Sequence, residues 1–275
     1  MKVLYITDMD GTLLNNDGRL SEYTIKTIND LIKKGMYFSY ATVRSLLSLS
    51  IVTKGINVNV PVITKNGIFI EDLNSKEVLY SIKFTDDEKS FIIDALKQFS
   101  VYPIVYSFID GIEKKSWIHN KENDAIKREV ESWYKNNDPR IRSVNTEVEL
   151  FKGEIFHFNC LGKEDELIDL YKYINSTANF HCMLRKDYYL EDYFIEIMPK
   201  KANKGNTILK LKEIMNFDKI ISFGDAKIDI PMFRISDECY AVENAEDELK
   251  KIATGIIKSN NNDGVANWLE NNYKT

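Results

Sequence analysis

The sequence predicts a doubly wound α/β core built on a parallel sheet, with an α+β domain inserted into it. Three observations carry this. Strand-like and helix-like runs alternate from the first residues to about residue 82, and the alternation returns after Pro199. Alternation of this length places helices on both faces of a parallel sheet. Between these stretches the chain changes character. It is rich in aromatic residues and mixes strands with helices, as an insertion would. Finally, four polar clusters fall at or just past expected strand ends, where open parallel sheets bind ligands. The expected division is a core of residues 1–82 and 197–275 with an inserted domain of 83–196. A chain of 275 residues suits two domains at about 150 residues each.

Val3–Thr7 is apolar and β-prone, and residues 8–18, rich in Asp, Asn and Gly, form a loop. Ser21 is placed as an N-cap. Ile25, Ile28, Leu31 and Ile32 follow at helical spacing until Gly35 stops the helix. Residues 36–41 read as a second strand, 44–54 as a helix and 61–64 as a third strand. Asn66-Gly67 and Asn74-Ser75 are turns around short strands at 68–71 and 77–81. Thr85 and Glu88 form a capping box ahead of Phe91, Ile92, Ala95, Leu96 and Phe99. Further helices are expected near 120–135 and 163–176, with a turn at Asp138-Pro139 between them. After Pro199 come a helix over 204–215, a strand over 219–223 ending in Gly224-Asp225, a short helix, a strand at Glu238–Val242 and two closing helices.

Composition narrows the function classes. With 44% hydrophobic and 29% charged residues, the chain reads as an ordinary soluble globular protein. A net charge of −5 gives no electrostatic footprint for nucleic acid or an anionic membrane. No apolar run approaches the roughly 20 residues of a membrane span. The N-terminal apolar run, interrupted by Asp8, is too short for a signal peptide. Cys160, Cys182 and Cys239 are odd in number, widely spaced and free of any C-x-x-C. They fit a reducing cytoplasm better than a disulfide framework or a zinc site. His119, His157 and His181 have no ligand spacing and read as structural. Nothing decides between a monomer and a homodimer.

The polar clusters are residues 8–12, residues 42–44, Lys204 ahead of a helix, and residues 224–229. Asp8 and Asp10, two residues apart beyond a strand, can face one point, and their repulsion calls for a cation or a shared proton. Asp225 and Asp229 add two carboxylates at the end of another strand. Such an oxygen cluster suits Mg²⁺. Gly11 lets the backbone turn tightly.

Asp8-Met9-Asp10-Gly11-Thr12-Leu13 resembles the first motif of the haloacid dehalogenase superfamily. Ala41-Thr42-Val43-Arg44 resembles the second motif, Lys204-Gly205 the third, and the stretch from Gly224 to Met232 the acidic fourth. Val242-Glu243-Asn244-Ala245 and Asp263-Gly264-Val265-Ala266 are similar to later segments of its Cof-type subfamily, whose large α/β cap corresponds to the insertion. The resemblance implies a Rossmann-like core. It also implies a Mg²⁺-dependent phosphatase acting on a small phosphorylated metabolite, a sugar phosphate or a phosphorylated cofactor, beneath a cap that excludes water.

In that scheme Asp8 is the nucleophile that forms an aspartyl-phosphate, and Asp10 is the general acid and then base. Thr42 and Lys204 hold the phosphoryl oxygens. The metal sits on Asp8, the Asp10 carbonyl and Asp225, with Asp229 near. Asn66 matches a position that contacts phosphate and equally fits a turn Asn. Arg44 fits either phosphate binding or helix capping. Arg185, Asp187 and Tyr188, on the segment leading back to the core, are candidate substrate contacts.

Two positions depart from the family pattern. Val43 stands where the second motif has Gly, which narrows the backbone approach. Ile228 stands where an Asn precedes Asp229, and Ile neither donates nor accepts a hydrogen bond. The alternatives are a phosphotransferase or mutase using the same intermediate, or an impaired sensor that binds phosphate esters.

Overall fold

The computed structural model describes residues 1–187 and 191–274. The chain forms two compact units, residues 1–81 with 202–275 and residues 82–201. In the first, β1 (Val3–Thr7) leads to α1 (Glu22–Lys33), β2 (Tyr37–Tyr40), α2 (Leu46–Val52), β3 (Val62–Thr64), β4 (Phe69–Glu71) and β5 (Val78–Ser81). The second holds α3 (Asp86–Gln98), β6 (Ile104–Ile109), β7 (Ile112–Ile118), α4 (Asp124–Lys135), β8 (Ile141–Val144) and the one-turn α5 (Glu147–Leu150). It continues with β9 (Glu154–Gly162), α6 (Glu164–Ser176), β10 (Phe180–Lys186) and β11 (Tyr193–Pro199). The chain returns to the first unit with α7 (Lys204–Met215), β12 (Lys219–Gly224), α8 (Ile230–Ile235), β13 (Glu238–Val242), α9 (Asp247–Lys250), β14 (Gly255–Ile257) and α10 (Gly264–Asn272).

The main sheet of the first unit runs β14-β13-β12-β1-β2, all parallel. A bridge between Ala41 and Ile63 carries the order on toward β3, which forms an antiparallel meander with β4 and β5. From β1 the chain first builds outward through β2, then returns to β12 on the other side and builds away through β13 and β14. The order therefore reverses between β1 and β12, the place where doubly wound sheets bind ligands. The strands read as near-continuous apolar runs because both faces are buried. Leu4, Ile6, Phe38, Ile220 and Phe223 are all inaccessible, packed with Ile28 of α1 and Ile208 and Leu211 of α7.

Local signals act where expected. The Ser21 side chain accepts from Thr24 N, and Thr85 and Glu88 close their capping box. The second unit is a sheet of order β10-β11-β9-β6-β7-β8, antiparallel except for β7–β8. One core there gathers Phe158, Cys160, Ile195 and Ile197 from the sheet with Ile92 and Leu96 of α3 and Leu167 and Leu170 of α6.

Two expectations change. The boundary placed at 196/197 falls inside β11, whose pairing with β10 continues to Pro199 opposite Phe180, so the unit ends after Lys201. The helix expected over 44–54 spans Leu46–Val52, because the Ser45 side chain caps it by accepting from Ser48 N. Arg44 therefore lies outside the helix and does not cap it.

Candidate active site

Asp8 directly follows β1, and its N donates to Phe223 O of β12 at 2.9 Å. The chain then folds back on Met9, whose carbonyl accepts from the backbone N of Thr12, Leu13 and Leu14. The buried Met9 side chain pins this turn to the core. Gly11 has φ +81°, and a Cβ there would lie 2.3 Å from Asp225 Oδ2. Glycine is required because the backbone must approach that carboxylate closely in a left-handed conformation. Thr12 Oγ1 donates to Asp225 Oδ1 at 2.7 Å, and Asn244 Nδ2 donates to Gly11 O at 2.7 Å. Glu246 N donates to Asp225 O at 2.7 Å. Thr12 and Asn244 lie within segments whose family likeness was visible, yet spacing alone gave neither a partner.

Lys204 opens α7, where a cation opposes the helix dipole. It is nonetheless fully buried. Its Nζ donates to Asp8 Oδ1 and, at 2.6 Å, to Asp229 Oδ1. The other oxygen of Asp229 accepts from the N of Asp225 (3.0 Å) and Ala226 (3.2 Å). Asp229, also fully buried, thus ties the lysine to the loop that presents Asp225. The half-buried Ile228 takes no part in these bonds. Val43 is 44% exposed.

Ligand oxygens of Asp8, Asp225 and Asp229 all lie within 4.8 Å of one another. Three carboxylates against one ammonium leave a surplus of buried negative charge. Burial pushes the Asp8 carboxyl up to about 8; Lys204 pulls it back, while Asp229 and Asp225 raise it further. Asp225 is also raised, first by burial, against the Thr12 hydrogen bond. Burial works against the Lys204 ammonium, but Asp229 and Asp8 outweigh it and hold the charge firmly. This donor set, oxygen-only and in charge excess, fits a hard divalent cation.

Asp10 points elsewhere. Arg44 Nε donates to its Oδ2 at 2.7 Å and Nη2 to its Oδ1 at 2.5 Å, a bidentate pair. Ala41 N donates to Thr7 O at 2.9 Å, which sets the end of β2 beside that of β1. Thr42 is fully buried there, and its Oγ1 accepts from Arg44 N at 3.1 Å. Asn66 takes the left-handed conformation of a turn (φ 55°), and its N donates to Thr42 O. Its buried Oδ1 has no hydrogen-bond partner among the described residues. An orphaned buried acceptor is costly, so Asn66 combines the turn role with an atom available to a ligand.

The remaining expected contacts belong to the second unit. Arg185, exposed on β10, sets Nε 3.7 Å from Glu196 Oε2 and donates Nη2 to Met183 Sδ at 3.3 Å. Asp187 N donates to Asp192 O at 2.8 Å. Tyr188 lies outside the described residues. The three histidines also sit in this unit. Burial lowers the pKa of His181, and the Nδ1 of His119 is 3.4 Å from Glu122.

A parallel sheet whose order reverses beside a buried Asp–Lys–Asp cluster is the architecture of an α/β enzyme that takes its ligand at the strand ends. The family model of the haloacid dehalogenase-like hydrolases matches residues 5–269, and the chain belongs to that family of enzymes. It is 27% identical to the 5-amino-6-(5-phospho-D-ribitylamino)uracil phosphatase YwtE of Bacillus subtilis, over 98% of this chain and 97% of that protein. A second Bacillus subtilis phosphatase of the same description, YitU, is 24% identical over 97% and 96% of the two chains. Among solved structures, that of TM0651 from Thermotoga maritima superposes with a TM-score of 0.74 at 26% identity, covering 100% of this chain and 99% of the other. Among the described residues, no helix is long and apolar enough to cross a membrane.

Proposed function

We propose that the chain is a magnesium-dependent phosphatase that hydrolyses a small phosphate monoester through an aspartyl-phosphate on Asp8. The observation that carries this reading is the placement of Asp8, nearly inaccessible at the sheet's reversal point, hydrogen-bonded to Lys204 and grouped with the carboxylates of Asp225 and Asp229.

Lys204 fixes the Asp8 carboxylate and supplies positive charge where the phosphoryl oxygens gain negative charge. A carboxylate oxygen of Asp8 bonds to phosphorus as the ester P–O bond breaks, and Asp10 gives the leaving oxygen its proton. In the second step Asp10 takes a proton from water, and the water oxygen bonds to phosphorus. The bond between phosphorus and Asp8 then breaks, releasing orthophosphate and restoring the Asp8 carboxylate and the protonated Asp10. The Thr42 hydroxyl and the Asn66 Nδ2 group, both hydrogen-bond donors, complete the ring of polar groups around the phosphoryl oxygens. Asp8, Asp225, Asp229 and the Asp10 carbonyl would hold Mg²⁺, which when bound neutralises charge on the transferring group.

The names of the two Bacillus relatives suggest the substrate class: a phosphate monoester on a polyol chain joined to a heterocycle, as in a cofactor precursor. The three free cysteines, all buried, agree with a cytoplasmic setting. Asp229 satisfies both of its oxygens without help from position 228, which favours the enzyme over the impaired sensor. The test is Asp8→Asn, assayed on phosphorylated metabolites with Mg²⁺. Turnover should fall by a factor on the order of 10⁴ or more with the melting temperature held or raised. Retained turnover would exclude Asp8 as the nucleophile.

A further inference from the structure

We propose that the Arg44–Asp10 ion pair is a latch that the phosphate of the substrate opens, so that Asp10 becomes competent for proton transfer only once an ester is bound. This rests on the phosphatase reading above.

Arg44 is held from three sides. Its backbone N donates to Thr42 Oγ1, its Nη1 donates to Ser48 Oγ at 2.9 Å, and Nε and Nη2 grip Asp10. Both carboxylate oxygens of Asp10 are therefore occupied, and each by a donor. In this arrangement the guanidinium fork fixes the plane and direction of the carboxylate and leaves each oxygen only its second lone pair for a leaving group or a water. Turning it toward either partner requires an event that releases the fork.

The chemistry of the guanidinium names the event. Its planar fork fits phosphate as well as it fits carboxylate, and a phosphate dianion carries more charge than one carboxylate. The contact it displaces is partly open to water, with side-chain exposures of 24% for Arg44 and 47% for Asp10. Exposed pairs contribute little stability and exchange readily. The guanidinium already stands within the field of Asp8, the residue that attacks phosphorus. Thr42, which binds the Arg44 backbone, belongs to the same phosphoryl-binding strand end. Ser48, in the first turn of α2, keeps the guanidinium on this side while its partner changes. Asp10 thus acts as a placeholder for the phosphate. Arrival of the dianion transfers the fork to the phosphoryl oxygens and releases the carboxylate toward the leaving oxygen. Arg44 is in this sense a positioning residue for Asp10 as well as a phosphate ligand.

The test is a crystal structure of the full chain grown with Mg²⁺ and orthophosphate, joined to calorimetric titration of orthophosphate into the wild type, Arg44→Ala and Asp10→Asn. The expected structure has phosphate beside Asp8 and Lys204, the guanidinium on its oxygens, and both contacts to Asp10 broken. In solution, Arg44→Ala should bind orthophosphate about tenfold more weakly and Asp10→Asn several-fold more tightly, in line with couplings between charged groups in contact. Phosphate bound at that position with the Arg44–Asp10 pair intact, or an Arg44→Ala affinity equal to that of the wild type, overturns the latch alone. Absence of phosphate from that position at saturation overturns the latch and the phosphatase reading together.

Discussion

Lys204→Met replaces the buried ammonium by an apolar chain of similar reach and leaves Asp8 and Asp229 facing each other without their shared cation. The magnitude follows from burial. Lys204 and Asp229 are 0% exposed and Asp8 6%, so solvent screening offers little relief. Removing one partner of a buried ion pair costs about 3–5 kcal/mol. Here two carboxylates lose one ammonium, which argues for the upper part of that range. Protonation of Asp8, already favoured by its burial and acidic neighbours, limits the loss. For a domain of this size the change corresponds to a fall in melting temperature of roughly 6–20 °C. The assay is a thermal melt of both proteins in chelator and again in Mg²⁺. The variant should melt far lower in chelator and recover part of the difference with Mg²⁺, since the cation takes over part of the lost charge. A melting point in chelator within about 2 °C of the wild type would refute the buried ion cluster, because breaking such a pair carries the cost given above.

Three further outcomes are expected. Mg²⁺ at one hundred times its Kd should stabilise the wild type by about 2.7 kcal/mol, read as a rise in melting temperature; an unchanged melt at saturating Mg²⁺ argues against the carboxylate site. Gly11→Ala places a methyl group against Asp225 in a left-handed turn, a conformation costing about 1–2 kcal/mol for a residue with a Cβ. Its Mg²⁺ affinity, measured by calorimetry, should fall at least tenfold, whereas unaltered affinity would mean that Asp225 does not bind the ion. In the second unit, Arg140 and Lys115 hold the Asp138 carboxyl well below its usual range, with contacts of 2.7 Å and 2.9 Å. That stabilisation is complete above the unfolded value near 3.9 and is lost as pH falls through the lower folded value. Urea unfolding should therefore show the gap between wild type and Asp138→Asn steady at neutral pH and shrinking below about pH 4; a gap that widens on acidification contradicts the pairing.

The core was readable because its strands are buried on both faces and leave continuous apolar runs, with Asp8, Lys204 and Asp225 at the ends of such runs or at helix starts. β14 was missed: three residues, Gly255–Ile257, carry no period. The end of the second unit was misplaced because β11 stays apolar through Met198, and only its pairing with β10 shows where it belongs. Residue types gave the parts of the site but not their partners. Nothing in the local sequence says that Arg44 grips Asp10 instead of capping α2, or that Thr12 reaches a carboxylate 213 positions away. Such contacts arise from the winding of the sheet, which sequence periodicity does not encode.

The same winding has a consequence for biosynthesis. β1 sits between β2 and β12, so one of its edges has no partner until residue 219 has been made. At about 5–20 residues per second, that edge waits on the order of 10–40 s behind the ribosome, while the whole of 82–201 emerges and can fold on its own contacts. Asp8 leaves the ribosome about two hundred residues ahead of the lysine and the acids that complete its surroundings. A nascent chain therefore carries Asp8 without Lys204, Asp225 and Asp229 until the segment that holds all three has been made.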